Sequence, residues 1–349
     1  MNLLSSFSDL ESREFKTKWQ APSNIAFVKY WGKKGHQLPS NPSISLTLSH
    51  CQTQSELTFS PSDKLAVELF LDGEARPSFA VKIQNFLEKL SVDLPLLKNT
   101  KVVIHTHNTF PHGTGIASSA SGMAAVALCL ADYLYFLKGN VRDEKFYELA
   151  SFFARLASGS ASRSVYGGMV SWGEFAGESE MSDLFASPFE THEIFNDLMD
   201  SVIIVSSEEK VVSSRAGHGR MSEHPYAEAR FAEAHKNFKR TIDALRSGDW
   251  TTVGTVLENE ALQLHAMMMT SPESYTLFKP DSIYLIEKIR QFRNQTGVEA
   301  YFTLDAGPNV HLLYLSRDEQ QVKSFIETEL RGHYELVIHD QRGSGPGLC

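Results

Sequence analysis

The segment FPHGTGIASSASG, residues 110–122, combines three glycines with four hydroxyl side chains and contains no acidic residue. It runs directly into MAAVALCLADYLYFL, which reads as a buried helix. Gly113 and Gly115 would let backbone N–H groups approach an anion closely. The hydroxyls of Ser118, Ser119 and Ser121 would lie at the positive end of that helix. A glycine turn followed by a serine N-cap explains the same residues, so composition leaves phosphate binding and a plain turn open.

Three further segments occur in a fixed order with this loop. They are APSNIAFVKYWGKK at 21–34, GSASRSVYGG at 159–168 and TLDAGPN at 303–309. Together the four segments resemble the diphosphomevalonate decarboxylase (mevalonate diphosphate decarboxylase) family of the GHMP kinase superfamily. The resemblance runs from about residue 21 to the GPG at 345–347. The loop alone indicates only the superfamily, whereas KYWGK and GSASRS are specific to the decarboxylase branch. By this resemblance, Gly113, Gly115, Ser118, Ser119 and Ser121 would form the ATP-phosphate loop.

The resemblance implies ATP-dependent conversion of mevalonate 5-diphosphate to isopentenyl diphosphate, with release of ADP, phosphate and CO2. A tertiary hydroxyl is a poor leaving group, and phosphorylation at the 3-position makes it a good one. The carboxylate then leaves as CO2 while phosphate departs. Such a reaction needs a base near the hydroxyl, a cation near the carboxylate and cations for the diphosphate. We expect Mg²⁺ to be held mainly by the ATP phosphates with help from loop serines, and no separate protein metal site.

Three residues match the catalytic positions of the family. Asp305 would take the proton of the 3-hydroxyl or orient that hydroxyl toward the γ-phosphate. Lys29 would keep Asp305 ionised and neutralise charge on the transferring phosphoryl group. Arg163 would bind the substrate carboxylate through its guanidinium fork. From residue type alone, a turn aspartate and a solvent-facing strand lysine are the favoured interpretations of Asp305 and Lys29, and a surface arginine is the alternative for Arg163.

A second set of residues matches family positions that bind the substrate. Ser158 and Ser160 would line the mevalonyl pocket, although a run of small residues also permits close helix packing. Tyr30 and Lys33 match residues that contact the substrate diphosphate. Ser214 and Arg215 match a further substrate-binding pair. The cations of this set would supply local positive charge in a chain whose net charge is −9.

The loop departs from the family pattern. His112-Gly113-Thr114 stands where small residues are usual, Ile116 stands where leucine is usual, and SSRAGHG lacks the methionine often found after its glycine. Three alternatives stay open: a phosphomevalonate decarboxylase, a mevalonate 3-kinase, and a non-catalytic GHMP-fold protein that only binds ligands. Retention of Asp305 and Lys29 favours the full reaction.

Other polar clusters have simpler interpretations. The methionines at 267–269 are expected in a helix core, and His265 is expected to be structural. The charged segment EARFAEAHKNFKR, residues 228–240, is typical of a solvated helix face.

Composition limits the remaining classes. The chain has 349 residues, 42% of them hydrophobic, and a net charge of −9, which argues against a nucleic-acid-binding surface. Its three distant cysteines indicate a reducing compartment. The N-terminus does not resemble a secretory signal. The apolar run 123–137 contains Asp132 and is shorter than a membrane-spanning helix. We therefore expect a cytoplasmic protein that binds no membrane; by the resemblance, we expect a homodimer.

Periodicity divides the chain into strands and helices. Strands are predicted at 24–32, 43–49, 54–60, 64–73, 100–108, 200–208, 300–316 (with a turn) and 334–340. Helices are predicted at 78–90, 123–137, 142–158, 224–247, 250–269 and 279–296. Segregated strands and helices favour an α+β class. The resemblance implies a two-domain GHMP kinase fold with a ribosomal-protein-S5-like N-terminal domain and a ferredoxin-like C-terminal domain. We predict an extension at 1–20, an ATP-binding domain at 21–195 and a second domain at 196–349, with the site between the two domains.

Overall fold

The computed structural model describes residues 3–35, 37–111, 116, 118–208 and 214–349, with the side chains of 214–216 excepted. The strands are β1 Phe15–Val28, β2 Lys33–Lys34, β3 Leu38–Pro39, β4 Ser43–Pro61, β5 Ala66–Leu71, β6 Glu74–Ala75, β7 Thr100–Asn108, β8 Met169–Trp172, β9 Ser187–Pro188, β10 Leu198–Ile204, β11 Tyr301–Thr303, β12 Val310–Leu315, β13 Leu336–Gln341 and β14 Gly347–Leu348. The α-helices are α1 Pro77–Leu90, α2 Ser118–Lys138, α3 Glu144–Ala157, α4 Ser214–Arg220, α5 Ala227–Ser247, α6 Trp250–Thr270, α7 Pro280–Thr296 and α8 Glu319–Glu329.

The N-terminal half is built on one large sheet in the order β14-β1-β4-β7-β5-β6, with β8 and β9 branching from β4. Its pairs are antiparallel except β5 with β7. The predicted strands 43–49 and 54–60 are one strand, β4, whose pairing with β1 shifts register between Pro22 and Asn24. The bulge bends β4, so its first part pairs with β8 and its second part with β7.

Helix α2 packs against this sheet and begins at Ser118, so it includes the serines that the sequence placed at its N-terminus. It has 21 residues and, among the described residues, is the one helix long and apolar enough to cross a membrane. However, 78% of its apolar window is buried inside the protein. Asp132, in the middle of α2, accepts hydrogen bonds from Thr17, Trp19 and Arg142. A buried carboxylate with three partners is satisfied, so α2 is the central helix of a packed core.

The C-terminal half contains a second, antiparallel sheet in the order β11-β12-β10-β13. Helices α6, α7 and α8 supply apolar residues that pack with it, including Ala261, Leu285, Ile289 and Phe325. Helix α8 was not predicted from the sequence. The predicted helices at 250–269 and 279–296 are confirmed as α6 and α7.

The chain end returns to the first sheet. β14 pairs with β1 at Trp19 and Gln20. Asp340 of β13 accepts hydrogen bonds from three consecutive backbone N–H groups, those of Ser49, His50 and Cys51, at the bulge of β4. The two sheets are therefore joined by hydrogen bonds as well as by packing. The domain boundaries near residues 20 and 195 stay predictions; Phe15–Gln20 are part of β1.

Candidate active site

Lys29 lies just past the end of β1. The predicted strand 24–32 ends at Val28, because side chains rather than a neighbouring strand bind the backbone of the next residue. Glu260 Oε2 accepts the N–H of Lys29 at 2.9 Å, and Asn41 Nδ2 donates to its carbonyl at 3.1 Å. The Lys29 side chain is 2% exposed. Both backbone groups are thus satisfied away from the sheet, and the ammonium is turned inward.

Asp305 meets Lys29 from the other sheet. It lies in the turn between β11 and β12, and its Oδ1 is 3.0 Å from Lys29 Nζ. The Asp305 carbonyl accepts the Gly307 N–H at 2.7 Å and lies 3.1 Å from His265 Nε2, so the turn is held in place. The Asp305 side chain is 30% exposed, which leaves the carboxylate accessible on one side while the lysine is enclosed.

The protonation of Lys29 reflects opposing effects. Burial lowers its pKa below the ordinary lysine value, while the negative charges of Asp305 and Glu260 raise it and Arg163 lowers it. The net direction is downward. The Lys29 ammonium therefore depends on the Asp305 and Glu260 carboxylates to stay charged in a buried site.

Arg163 lies in a 3₁₀ helix, Gly159–Val165, and is fully buried. Its Nη1 donates to Ser43 Oγ at 2.6 Å, and its guanidinium faces the Trp172 ring at 5.8 Å. Across the described residues, no carboxylate forms a salt bridge with it, and its Nε has no hydrogen-bond partner. Burial lowers the pKa of Arg163 to about 10, with Asp305 acting in the opposite direction. A buried cation with unused donors is well suited to an anionic ligand.

Aromatic rings form one wall beside these charges. The Tyr30 ring lies 4.7 Å from Trp172 and 4.3 Å from His218, centroid to centroid. Burial raises the pKa of the Tyr30 hydroxyl to about 12, so it is a neutral donor near neutral pH. His218 of α4 accepts the Gly32 N–H at its Nδ1 at 3.1 Å. Burial, with help from Lys33 and Arg163, lowers the pKa of His218 to about 3, so this ring is neutral as well.

Gly159 lets the Tyr30 and Trp172 rings of this wall pack closely against the backbone. A Cβ on Gly159 would lie 2.8 Å from Tyr30 Cε1 and 2.9 Å from Trp172 Cη2. We expect Gly159→Ala to destabilise the fold by about 1–3 kcal/mol, because the half-buried Tyr30 ring and the buried Trp172 ring would have to move. Denaturant unfolding measures this, with Gly122→Ala as control. The nearest atom to a Cβ on Gly122 is 4.0 Å away, so that change is expected to be neutral or stabilising. Equal effects of the two changes would contradict the packing assignment.

The predicted phosphate loop is only partly described. Gly113 and Gly115 lie outside the described residues. Ser118 and Ser119 begin α2, the first half-buried and the second exposed, and the first turn of α2 contains no acidic residue. Ser121 is buried and its Oγ lies 2.7 Å from Thr53 Oγ1, so its hydroxyl faces the sheet. The helix N-terminus with Ser118 and Ser119 fits an anion such as a magnesium-bound phosphate.

The other predicted substrate residues surround the same region. Ser158 and Ser160 flank Gly159, both half-buried, and Asn24 Nδ2 donates to the Ser160 carbonyl at 3.2 Å. Lys33 is exposed and its Nζ is 3.1 Å from Gln37 Oε1. Ser214 and Arg215 begin α4, and their side chains lie outside the described part of the structure. Helix α4 itself reaches the site through His218.

Sequence reasoning missed several residues around the site. The interpretation of 228–240 as a solvated face was wrong for Arg230 and Asn237, which are both buried and hydrogen bonded to Glu260. Their spacing of seven residues, with apolar Ala234 between them on the same face, was the available signal. Nothing in the sequence marked Ser43, the hydroxyl beside Arg163.

The sequence predicted a structural role for His265 and a helix-core position for the methionines at 267–269. His265 is buried and lies 3.1 Å from the backbone of Asp305, as expected for a residue that supports the turn. Of the three methionines, Met268 is buried and Met269 is 45% exposed, so only part of this run is core. In the described residues, no group of three or more histidine, cysteine or acidic side chains is arranged to hold a metal ion.

Comparison with known proteins identifies the family. Residues 21–184 match the diphosphomevalonate decarboxylase-like N-terminal domain, and residues 201–344 match the mevalonate 5-diphosphate decarboxylase C-terminal domain. A diphosphomevalonate decarboxylase of Eremothecium gossypii is 31% identical over 88% of this chain and 79% of its own length.

Solved structures share the whole architecture. The mevalonate diphosphate decarboxylase of Staphylococcus aureus superposes with a TM-score of 0.83 at 28% identity, covering 96% of this chain and 98% of its own. A structure described as MDDEF in complex with MVAPP, AMPPCP and magnesium gives a TM-score of 0.82 at 28% identity, with 96% and 99% coverage. The predicted α+β class with a two-domain GHMP kinase fold is thus confirmed. By sequence and by structure, this chain belongs to the diphosphomevalonate decarboxylase family.

Proposed function

We propose that this protein converts mevalonate 5-diphosphate and ATP to isopentenyl diphosphate, ADP, phosphate and CO2. The observation that carries the proposal is the Lys29–Asp305 pair, 3.0 Å apart, beside a buried arginine that has no carboxylate partner among the described residues. Family membership supplies the substrate class, since relatives over nearly the whole chain are named diphosphomevalonate decarboxylase. A base and two cations at one site match what the reaction needs.

Asp305 and Lys29 act on the 3-hydroxyl. The accessible side of the Asp305 carboxylate accepts the proton of the 3-hydroxyl, or orients this hydroxyl. The hydroxyl oxygen of the substrate then attacks the γ-phosphoryl group of ATP. Lys29 holds Asp305 ionised, because an ammonium at hydrogen-bond distance favours the carboxylate form. The same ammonium offsets negative charge that develops on the transferred group.

Arg163 acts on the substrate carboxylate. Its guanidinium is already desolvated and has donors to spare, so binding does not require a further loss of water around the cation. A bidentate contact would hold the carboxylate with its carbon–carbon bond aligned for loss of CO2 as phosphate departs. The mevalonyl group would lie between Arg163 and the serines at 158 and 160.

The phosphate groups are held at two places. Tyr30, Lys33, Ser214 and Arg215 would bind the 5-diphosphate, with Lys33 exposed at the edge of the site. Ser118 and Ser119, at the start of α2, would hold the ATP phosphates with their Mg²⁺, together with Gly113 and Gly115 of the predicted loop. Ser121, whose hydroxyl faces the sheet, would support this first turn of α2. Bound Mg²⁺ supplies charge neutralisation at the phosphates.

The test is turnover of two substrates with Mg-ATP. Purified protein is incubated with mevalonate 5-diphosphate or mevalonate 5-phosphate, and ADP, CO2 and isoprenoid product are measured. We expect ADP and CO2 in equal amounts from the diphosphate. Preference for the monophosphate would indicate a phosphomevalonate decarboxylase, and ADP without CO2 would indicate a 3-kinase. No ADP from either substrate would favour a ligand-binding protein without catalysis.

The cellular setting and assembly are part of this proposal. We infer a cytoplasmic enzyme, supported by three free cysteines, of which Cys51 and Cys129 are buried and Cys349 is exposed. We infer a homodimer from the family resemblance. Light scattering of the purified protein measures its mass, and a value near 39.0 kDa would contradict the dimer.

A further inference from the structure

The carboxylate of Glu260 lies directly behind Lys29 and is completely buried. Its Oε2 accepts the Lys29 N–H at 2.9 Å and Arg230 Nη2 at 2.6 Å. Its Oε1 accepts Arg230 Nη1 at 3.0 Å and Asn237 Nδ2 at 2.8 Å. Arg230 and Asn237 come from α5 and Glu260 from α6. Four donors therefore hold one carboxylate in a single orientation.

A buried ion pair of this kind contributes little net stability, because the desolvation of both charges offsets their attraction. The distinctive feature of this ion pair is that the Glu260 carboxylate also accepts a backbone N–H, that of Lys29, at the point where β1 ends. With Asn41 on the carbonyl side, Lys29 is held at both of its backbone polar groups. The backbone position of Lys29 is therefore fixed, and its side chain extends from there to Asp305 on the other sheet.

We propose that Glu260, oriented by Arg230 and Asn237, is a positioning residue that holds Lys29 in place and keeps it charged for its contact with Asp305. The part of this inference that concerns turnover rests on the proposed function. Glu260 itself touches no reacting atom, since the backbone of Lys29 stands between it and the site.

The charges around Lys29 define the direction of the expected effect. The groups that face or influence it are Asp305 from the β11–β12 turn, Glu260 of α6, Arg163 of the 3₁₀ helix, Asp200 of β10, and Arg230 of α5 behind Glu260. Glu260 raises the pKa of Lys29 against burial. Glu260→Gln removes this negative charge and leaves the cations, so the pKa of Lys29 falls further. Activity that needs the ammonium is then lost at a lower pH.

The same helix offers a matched control. Two residues before Glu260, Glu258 forms a bidentate pair with Arg293, with Nη1 to Oε1 at 2.7 Å and Nη2 to Oε2 at 3.2 Å. Glu258 also accepts a backbone N–H, that of Phe302, at 3.4 Å. Glu258→Gln therefore removes a similar ion pair from α6 without contacting Lys29, and it separates loss of stability from loss of positioning.

The experiment measures kcat/KM against pH together with the Lys29 pKa. The pKa is read by NMR from ¹³Cε-labelled lysine, with the Lys29 signal assigned by its absence in Lys29→Met. We expect Glu260→Gln to move both the alkaline limb and the Lys29 pKa down by about one unit, and Glu258→Gln to move neither. An unchanged Lys29 pKa and pH profile in Glu260→Gln would overturn the proposal.

Two further measurements keep the test decisive. If Glu260→Gln fails to fold, the double variant Arg230→Met/Glu260→Gln removes the whole pair, which is tolerated more often than one unpaired charge. A smaller downward shift is then expected, because the Arg230 cation behind Glu260 is lost together with the carboxylate that contacts Lys29, and an unchanged Lys29 pKa overturns the proposal. If the wild-type protein does not turn over mevalonate 5-diphosphate, the proposed function fails. The NMR comparison still decides whether Glu260 sets the charge of Lys29.

Discussion

Asp305→Asn is expected to lower kcat for mevalonate 5-diphosphate by at least about a hundredfold, since a positioned base contributes roughly 10²–10⁴ to such steps. The side chain keeps its shape but can no longer take the hydroxyl proton. The substitution also removes the negative charge that helps to keep Lys29 protonated, so two functions of the pair are lost together. Substrate affinity should change far less, because the proposed binding cations remain.

Steady-state kinetics and calorimetric titration with mevalonate 5-diphosphate measure these two quantities. Asp281→Asn is the matched control: Asp281 also pairs with a basic side chain, His333, at 2.6 Å, but lies at the start of α7. It should keep near-normal turnover. An Asp305→Asn protein that retained more than a tenth of wild-type kcat would remove Asp305 from the role of base.

Arg163→Met is expected to abolish most turnover while leaving the folded state at least as stable as the wild type. Within the described part of the chain, this guanidinium is buried and donates one hydrogen bond, to Ser43. Burial lowers its pKa below the ordinary arginine value, to about 10. The folded state thus disfavours the charged form, at a cost on the order of 3 kcal/mol throughout the range below pH 10. A neutral side chain removes that cost.

Without the guanidinium, the substrate carboxylate loses its alignment, and we expect kcat/KM to fall by at least about a hundredfold. Thermal unfolding without ligand should give a melting temperature equal to or above that of the wild type. Added mevalonate 5-diphosphate should stabilise the wild type more than the variant.

Arg155→Met provides the comparison, because burial also lowers the pKa of Arg155 to about 10. Its Nε donates to the Leu184 carbonyl at 2.7 Å, a backbone group outside the Lys29–Asp305 pair, so its loss should leave turnover within several-fold. If Arg163→Met melted well below the wild type and kept its activity, Arg163 would be a structural residue.

Local pattern predicted most of the elements. Helices α5, α6 and α7 followed from apolar spacing, and β7 from alternation. The failures occur where a distant group overrides local pattern. The end of β1 at Val28 depends on Glu260 and Asn41. The bulge of β4 depends on Asp340, which lies about three hundred residues further along the chain.

The order of residues along the chain was enough to predict the decarboxylase family and to select Lys29, Arg163 and Asp305 as candidates. It did not predict the pKa values or the burial of these three side chains. Burial and neighbouring charge set the pKa of a side chain, and both come from segments remote in sequence. Lys29 and Asp305 are 276 positions apart and become an ion pair only when the two sheets meet. Arg230 and Asn237 were expected on a solvated helix face, because a polar residue in a helix shows its burial only after the opposing helix, here the one that carries Glu260, is in place.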